Sequence, residues 1–263
     1  MPLSALHTIQ ATATYWQGWE HYLHAIPTLS ATEGSVATWL NQIKPASFTK
    51  TFVPQSALPI GMAYEAFIFE QQQIPTRDGL HDFFNALCWL TFPQTKTTFN
   101  QIHQRQIAQL GTTQRGKVRD MLTVIDENGF LIQCPDELWE ALSAKAWVSA
   151  FVDLRHLWAK SRMMVFGHAL LEKLVNPYKA ITAHAIRLPS DLIETSVHTT
   201  STTFSTAEMA IIDNYLAQYL NEETLASKPY IPIQIFGIPD WSDEEQNLAF
   251  YQDTQVFRAP KTR

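Results

Sequence analysis

The sequence predicts a single α+β domain, mostly helical, with a small, largely antiparallel sheet that includes a hairpin over 121–134. Three observations lead there. Apolar residues recur at helical spacing through most of the 263 residues. Asn128-Gly129 stands between the apolar runs Met121 to Ile125 and Phe130 to Cys134, the pattern of a tight hairpin. The sequence also lacks the repeated strand–helix–strand units of a long parallel sheet. At 46% hydrophobic residues, a chain of this length can bury its own core.

From the N-terminus, Ala13 to His24 is an aromatic-rich helical pattern that Pro27 should end, and Ser35 to Ile43 predicts a second short helix. Pro45, Pro54 and Pro59 impose extended loops. Met62 to Phe69, read as MAYEAFIF, is an apolar and aromatic run of strand length and is read as a strand. His21 and His24 are assigned to surface or aromatic packing.

The densest chemistry lies between Pro75 and His103. Leu80 to Thr91 sets Phe83, Leu87 and Leu90 on one helical face, with Phe84 and Cys88 beside it and His81 and Asn85 on another. Asp78 is a candidate N-cap, and Asp82 falls in the first turn, where a carboxylate suits the helix dipole. Pro93 interrupts the pattern. A second helix runs from about Gln94 to Leu110, stops at Gly111, and carries a polar stripe of Lys96, Asn100 and His103. If the chain reverses at Pro93, a rise of about 1.5 Å per residue sets His81 level with His103, Asn85 opposite Asn100, and Trp89 against Lys96. A kinked continuous helix would hold the two histidines about 33 Å apart. The expectation is therefore a helical hairpin with His81, Asn85, Asn100 and His103 on one cavity wall.

Downstream, Arg115, Lys117 and Arg119 precede the expected hairpin, and strand alternation sends Arg119 and Asp120 to opposite faces, with Asp120 toward the site. Asp136 to Trp158 reads as one or two core helices. His168 sits near the start of a helix closed by Pro177, and His184 lies in a short strand. Asp191 to Thr206 is a Ser/Thr-rich loop, Ala207 to Leu220 an amphipathic helix, and IPIQIFGIPDW an extended stretch. Ser242 with Glu245 suggests a capping box, and the aromatic residues of FYQDTQVFR should dock the tail.

Net charge of −6 and a pI near 5.8 give no bulk attraction to nucleic acid or anionic membranes. No run approaches the roughly 18 apolar residues of a membrane span, and MPLSALHTIQATATYW lacks an export-signal pattern. The two cysteines, Cys88 and Cys134, form no CxxC pair. These features predict a cytoplasmic protein with reduced thiols and a small-molecule partner, and they leave its oligomeric state open.

The stretches LHDFFNALCWLTFPQTKTTFNQIH, RDMLTVIDENG, FGHALLEKL, FGIPDW and FYQDTQVFR resemble a bacterial family of unknown function. The resemblance covers roughly Thr49 to Arg258 and implies one unit without implying a reaction. Three functions compete. In a hydrolase-type enzyme, His81, Asp82 and His103 bind a divalent metal or divide acid and base roles. His168 or Asp120 would add a further group, and Asn85 or Asn100 would stabilise developing negative charge. HExxH and GxSxG motifs are missing, and Cys88 falls on an apolar face that suits an inert thiol. An anion-binding module would instead use Arg77, Lys96, Arg115, Arg119 and Lys173, with His168 as a further ligand-binding residue. In the third reading the His/Asn stripe is a buried network that fixes helix register. The hydrolase is the leading expectation.

Overall fold

The computed structural model describes residues 9, 12–31, 35–111, 116–193 and 202–260, without the side chains of 27–31. In chain order the elements are α1 (Glu20–Ala31), α2 (Val36–Ile43), β1 (Thr51–Pro54), α3 (Tyr64–Gln71), β2 (Gln73–Thr76), α4 (Leu80–Thr91), α5 (Pro93–Leu110) and α6 (Lys117–Asn128). They continue as β3 (Gly129–Gln133), α7 (Asp136–Ser143), α8 (Arg155–Trp158), β4 (Arg162–Val165), α9 (His168–Leu174) and β5 (Thr182–Arg187). The last are α10 (Thr206–Tyr219), α11 (Glu222–Ser227), β6 (Ile231–Gln234) and α12 (Leu248–Tyr251). The α+β class is as the sequence predicts. The main sheet has the order β4-β3-β5-β6, with β3 antiparallel to β4 and parallel to β5, and β5 antiparallel to β6. A separate parallel pair joins β1 to β2.

Helix α4 runs through the middle of the core. Leu80 and every residue from Asp82 to Leu90 are buried, so His81 alone in that run reaches outward. Trp16 stacks on Phe84 and Trp39 on Phe83, with ring centroids 5.9 and 5.8 Å apart. The Cys88 thiol donates to the Phe166 carbonyl at 3.3 Å. Asp213 of α10 accepts from the backbone N–H groups of Gln94 and Thr95 at 2.9 and 2.8 Å, capping the start of α5.

Several sequence expectations are corrected. The hairpin over 121–134 is a helix followed by a strand. Val118, Met121, Leu122 and Ile125 follow an i, i+3, i+4, i+7 pattern and pack on the core, which commits 117–128 to α6. Gly129 has φ −65°, not the left-handed angle that an Asn-Gly hairpin turn needs, and β3 finds its antiparallel partner in β4 instead. Met62 to Phe69 is mostly helical: Tyr64, Phe67 and Ile68 share one inward face of α3, and the strand begins only at Gln73. Helix α1 continues across Pro27 to Ala31, forgoing the one N–H that proline lacks.

Asp78 caps a different helix from the one expected, accepting from Val36 N of α2 at 2.8 Å, while Gly79 stands at the N-cap of α4. Ser242 accepts from Glu244 N at 3.2 Å, and the short helix begins later, at Leu248, with Asn247 as its cap. The tail docks as expected: Val256 and Phe257 are buried, and Trp147 Nε1 donates to the Arg258 carbonyl at 2.7 Å. Arg115 and the middle of the Ser/Thr loop, 194–201, lie outside the described residues. Among the described residues no helix is long and apolar enough to cross a membrane.

One close approach sets how α9 meets α6. A Cβ on Gly167 would lie 2.4 Å from the Glu127 carbonyl carbon and oxygen and 2.5 Å from Asn128 N. Backbone on both sides cannot yield as a flexible side chain can. Gly167→Ala is therefore expected to destabilise the fold by about 2–3 kcal/mol or more, measured as a lowered midpoint in chemical denaturation.

Candidate functional site

Asn85 of α4 and Lys96 of α5 are eleven positions apart, which a continuous helix would translate into about 16 Å. Their side chains instead meet at 2.9 Å, Lys96 Nζ donating to Asn85 Oδ1, so the chain folds back around Pro93. The expected contact between Trp89 and Lys96 also forms, with Nζ 5.5 Å from the ring centroid. His81, Asn85, Asn100 and His103 all line one cavity of about 480 Å³. Its walls come from α4, α5 and α6, from His168 at the start of α9, and from the segment between Gln55 and Glu65.

The centre of the wall is a buried ion pair. Lys96 Nζ donates to Asp126 Oδ1 of α6 at 2.5 Å as well as to Asn85. Asn85 Nδ2 in turn donates to the Tyr64 hydroxyl at 3.0 Å, and Asn100 Nδ2 donates to the Glu65 carbonyl and carboxylate at 2.8 and 2.6 Å. Arg77 donates from its backbone N, Nε and Nη2 to the two Asp82 carboxylate oxygens at 2.8 to 2.9 Å. Burial raises the Asp126 carboxyl, but Lys96 and the histidines beside it outweigh that and hold it below the usual carboxylate range. Burial pushes the Tyr64 phenol and the Cys88 thiol upward, so Cys88 is an inert core thiol.

Three imidazoles occupy different environments. Burial lowers His168 to about 4, and it lowers His103 as well, so both are neutral at pH 7. His103 Nδ1 is buried without a hydrogen-bond partner among the described residues, which leaves Nε2 on the open side. His81 is the most accessible, its side chain 44% exposed. Its Nδ1 lies 3.1 Å from Glu172 Oε2, and its Nε2 lies 3.2 Å from His168 Nε2. His168 Nδ1 is buried and faces Asp126, whose Oδ2 lies 3.7 Å away and whose backbone also favours a proton on the ring.

The expected metal set of His81, Asp82 and His103 does not assemble. Among the described residues no three His, Cys, Asp or Glu side chains are placed to hold a metal ion. Asp82 is saturated by Arg77, and His81 directs its ring nitrogens at Glu172 and His168. Asp120 is also displaced: on a helix it is exposed and outside the cavity lining, while Arg119 lines the cavity. Of the expected anion-binding cations, Arg77 pairs with Asp82, Lys96 with Asp126, and Lys173 Nζ donates to Asn128 Oδ1 at 2.7 Å.

Tyr64 and Glu65 line the cavity and Glu172 meets His81 beside it, none of them singled out from sequence, while Asp126, another lining residue, enters the sequence reading only as a carboxylate of the expected turn. Two signals point to some of them. Arg119, Thr123, Asp126 and Glu127 form a helical stripe once 117–128 is read as a helix, and His168 and Glu172 are four residues apart on α9.

The family model described as a protein of unknown function (DUF3025) matches residues 50–261. Neither a curated protein nor a solved structure matches the chain.

Removing one member of a buried ion pair strands the other charge, so Lys96→Met is expected to cost about 3 kcal/mol or more, and Lys96→Met/Asp126→Leu less than Lys96→Met alone. Equilibrium denaturation of the two variants beside the parent checks this. A second expectation concerns pH. His168 binds its proton more weakly folded than unfolded, so the stability tied to its neutral form is full above about pH 6.5 and is lost as pH falls toward 4. The loss from this group is about 3 kcal/mol across that window, and His168→Gln should flatten the slope of denaturation midpoint against pH.

Proposed function

Starting from the premise that the chain belongs to the DUF3025 family, whose description assigns no activity, we propose a metal-independent, hydrolase-type enzyme that moves protons through histidines and acts on a small polar molecule. The observation that carries this reading is the placement of three imidazoles on one cavity, two of them kept neutral by burial, beside the Lys96–Asp126 pair. Neutral imidazole can take or give a proton near pH 7, and histidine is the side chain best suited to that task.

The roles divide by environment. A buried N–H without an acceptor is costly, so His103 carries its proton on Nε2, toward the cavity, where it donates to negative charge developing on the substrate. This role resembles a neutral imidazole acting as an electrophile rather than as a base. His81, the most accessible of the three, accepts the proton released by the attacking water, with His168 behind it at 3.2 Å. Arg119 supplies positive charge along the wall, and Lys96, paired with Asp126, holds that wall together. Asn85 and Asn100 have their amide donors engaged with Tyr64 and Glu65, so they shape the cavity rather than hold an oxyanion. Engagement of Arg77, Lys96 and Lys173 with internal partners favours this reading over an anion-binding module.

The test is turnover on a panel of small chromogenic carboxylic esters, amides and phosphate esters, in the presence of a chelator. Turnover should survive chelation and fall by about 100-fold in kcat for His103→Ala, with His103→Gln retaining more because an amide can still donate. Activity confined to metal-supplemented protein, no turnover on any arm, or an unaffected His103→Ala would overturn the proposal.

A further inference from the structure

Two polar groups on the wall between α3 and α5 have a fixed orientation and one hydrogen-bonding capacity each that the protein does not use. Lys96 Nζ is an ammonium and can only donate, so the Asn85 atom it meets is the amide oxygen, and the amide nitrogen is the atom that faces Tyr64. Tyr64 therefore accepts from Asn85 at 3.0 Å, and its own hydroxyl hydrogen has no acceptor among the described residues. Burial, together with the carboxylates of Glu65, Asp82 and Asp126, holds the phenol well above its usual range, so the hydrogen stays in place at neutral pH.

Asn100 is oriented by Glu65, the residue next to Tyr64. Its Nδ2 donates to the Glu65 carbonyl and carboxylate at 2.8 and 2.6 Å, oxygens that only accept, so its Oδ1 is the atom on the other side of the amide. Asn100 is 3% exposed, yet Oδ1 takes no hydrogen bond among the described residues and is not sealed off from the cavity that Asn100 lines. Tyr64 and Asn100 thus offer one donor and one acceptor to the same cavity. A carboxamide carries the complementary pair, a carbonyl oxygen and an N–H.

We propose that Tyr64 and Asn100 hold a carboxamide group of the substrate, the Tyr64 hydroxyl donating to its carbonyl oxygen and Asn100 Oδ1 accepting from its N–H. This rests on the acid–base reading of the cavity and narrows its substrate class to amides. An ester has no hydrogen to give Asn100 and would set an oxygen lone pair against Oδ1. A phosphate ester would bring negative charge to Tyr64, where three carboxylates already oppose it. Along the chain from Lys96 through Asn85 to Tyr64 each donor strengthens the next, which sharpens the hydroxyl as a donor. Leu58, Phe99 and Ile107 line the same cavity and suit an apolar group on the carbonyl. His103 lies one turn beyond Asn100 on α5, so the donor assigned to developing charge and the acceptor that orients the amide share a helix face.

Three probes of nearly equal shape test this without knowledge of the natural substrate: N-methylbenzamide, methyl benzoate, which replaces the N–H by oxygen, and benzyl methyl ether, which also lacks the carbonyl. Their binding to the full-length protein is read by titrating the side-chain amide signals in nitrogen-15 NMR. N-methylbenzamide should shift the Asn85 and Asn100 signals and bind about tenfold more tightly than methyl benzoate, which should in turn bind about tenfold more tightly than the ether, one net hydrogen bond at each step. Tyr64→Phe should erase the difference between ester and ether and keep that between amide and ester. The probe series on the parent protein decides both contacts even where that variant fails to fold. No binding of N-methylbenzamide, equal binding of amide and ester or of ester and ether, an unmoved Asn100 signal, or a folded Tyr64→Phe that still prefers ester to ether would overturn the proposal. Such a result alongside chelator-resistant, His103-dependent turnover would leave the acid–base enzyme standing; the expected probe order without turnover would do the reverse.

Discussion

The ammonium of Lys96 holds three helices in one arrangement. It sits over Trp89 and touches Asn85 on α4, it belongs to α5, and it meets Asp126 on α6. Lys96 is almost wholly buried, and taking such a charge out of water costs several kcal/mol unless its partners are well placed. The partners sit on three successive helices, Asn85 11 and Asp126 30 positions from Lys96, so only one mutual placement of those helices satisfies them. A shift of one helix by a turn would separate the charges and leave each buried alone. The same interaction therefore selects the register of the helical hairpin and positions the cavity lined by its polar stripe.

A second constraint is steric. The turn between β4 and α9 passes so close to the C-terminal end of α6 that residue 167 has no room for a side chain. Gly129 is equally confined, with a hypothetical Cβ 2.5 Å from the Ile125 carbonyl oxygen. The two glycines let β3, α6 and α9 converge. Because His168 directly follows Gly167, this approach sets its imidazole beside Asp126 and leaves Nε2 to meet His81 on α4. Electrostatics orders the α4, α5 and α6 side of the cavity, and close packing delivers the α9 side.

Local and nonlocal information lie in different parts of the chain. The α4 and α5 pattern was readable because like side chains recur at helical spacing along each segment, and Pro93 marks the break. The level pairing of Trp89 with Lys96 followed from helix rise alone. The hairpin expectation failed because Asn-Gly is a turn signal only when both flanks are strands, and the four-residue periodicity of Val118, Met121, Leu122 and Ile125 argues for a helix. The same error exchanged Arg119 and Asp120: period two sends neighbours to opposite faces, whereas a helix turns them by about 100°. MAYEAFIF failed for a related reason, since a short apolar run satisfies either period.

The sequence by itself determined the α+β class, the helical hairpin about Pro93, the polar stripe of His81, Asn85, Lys96, Asn100 and His103, and the inert character of Cys88, because each depends on spacing within one segment or on the apolar face beside it. The tertiary structure alone decided which partner each polar group took. Asp82 went to Arg77, Asp78 to the N-terminus of α2, Lys96 to Asp126, and His81 to His168 and Glu172. Those choices follow from distances between segments 42 to 91 positions apart in the longest cases, set by how the core packs around α4. Spacing along a helix says which side chains share a face, but a charge or an imidazole acquires its protonation state only from what the fold brings against it.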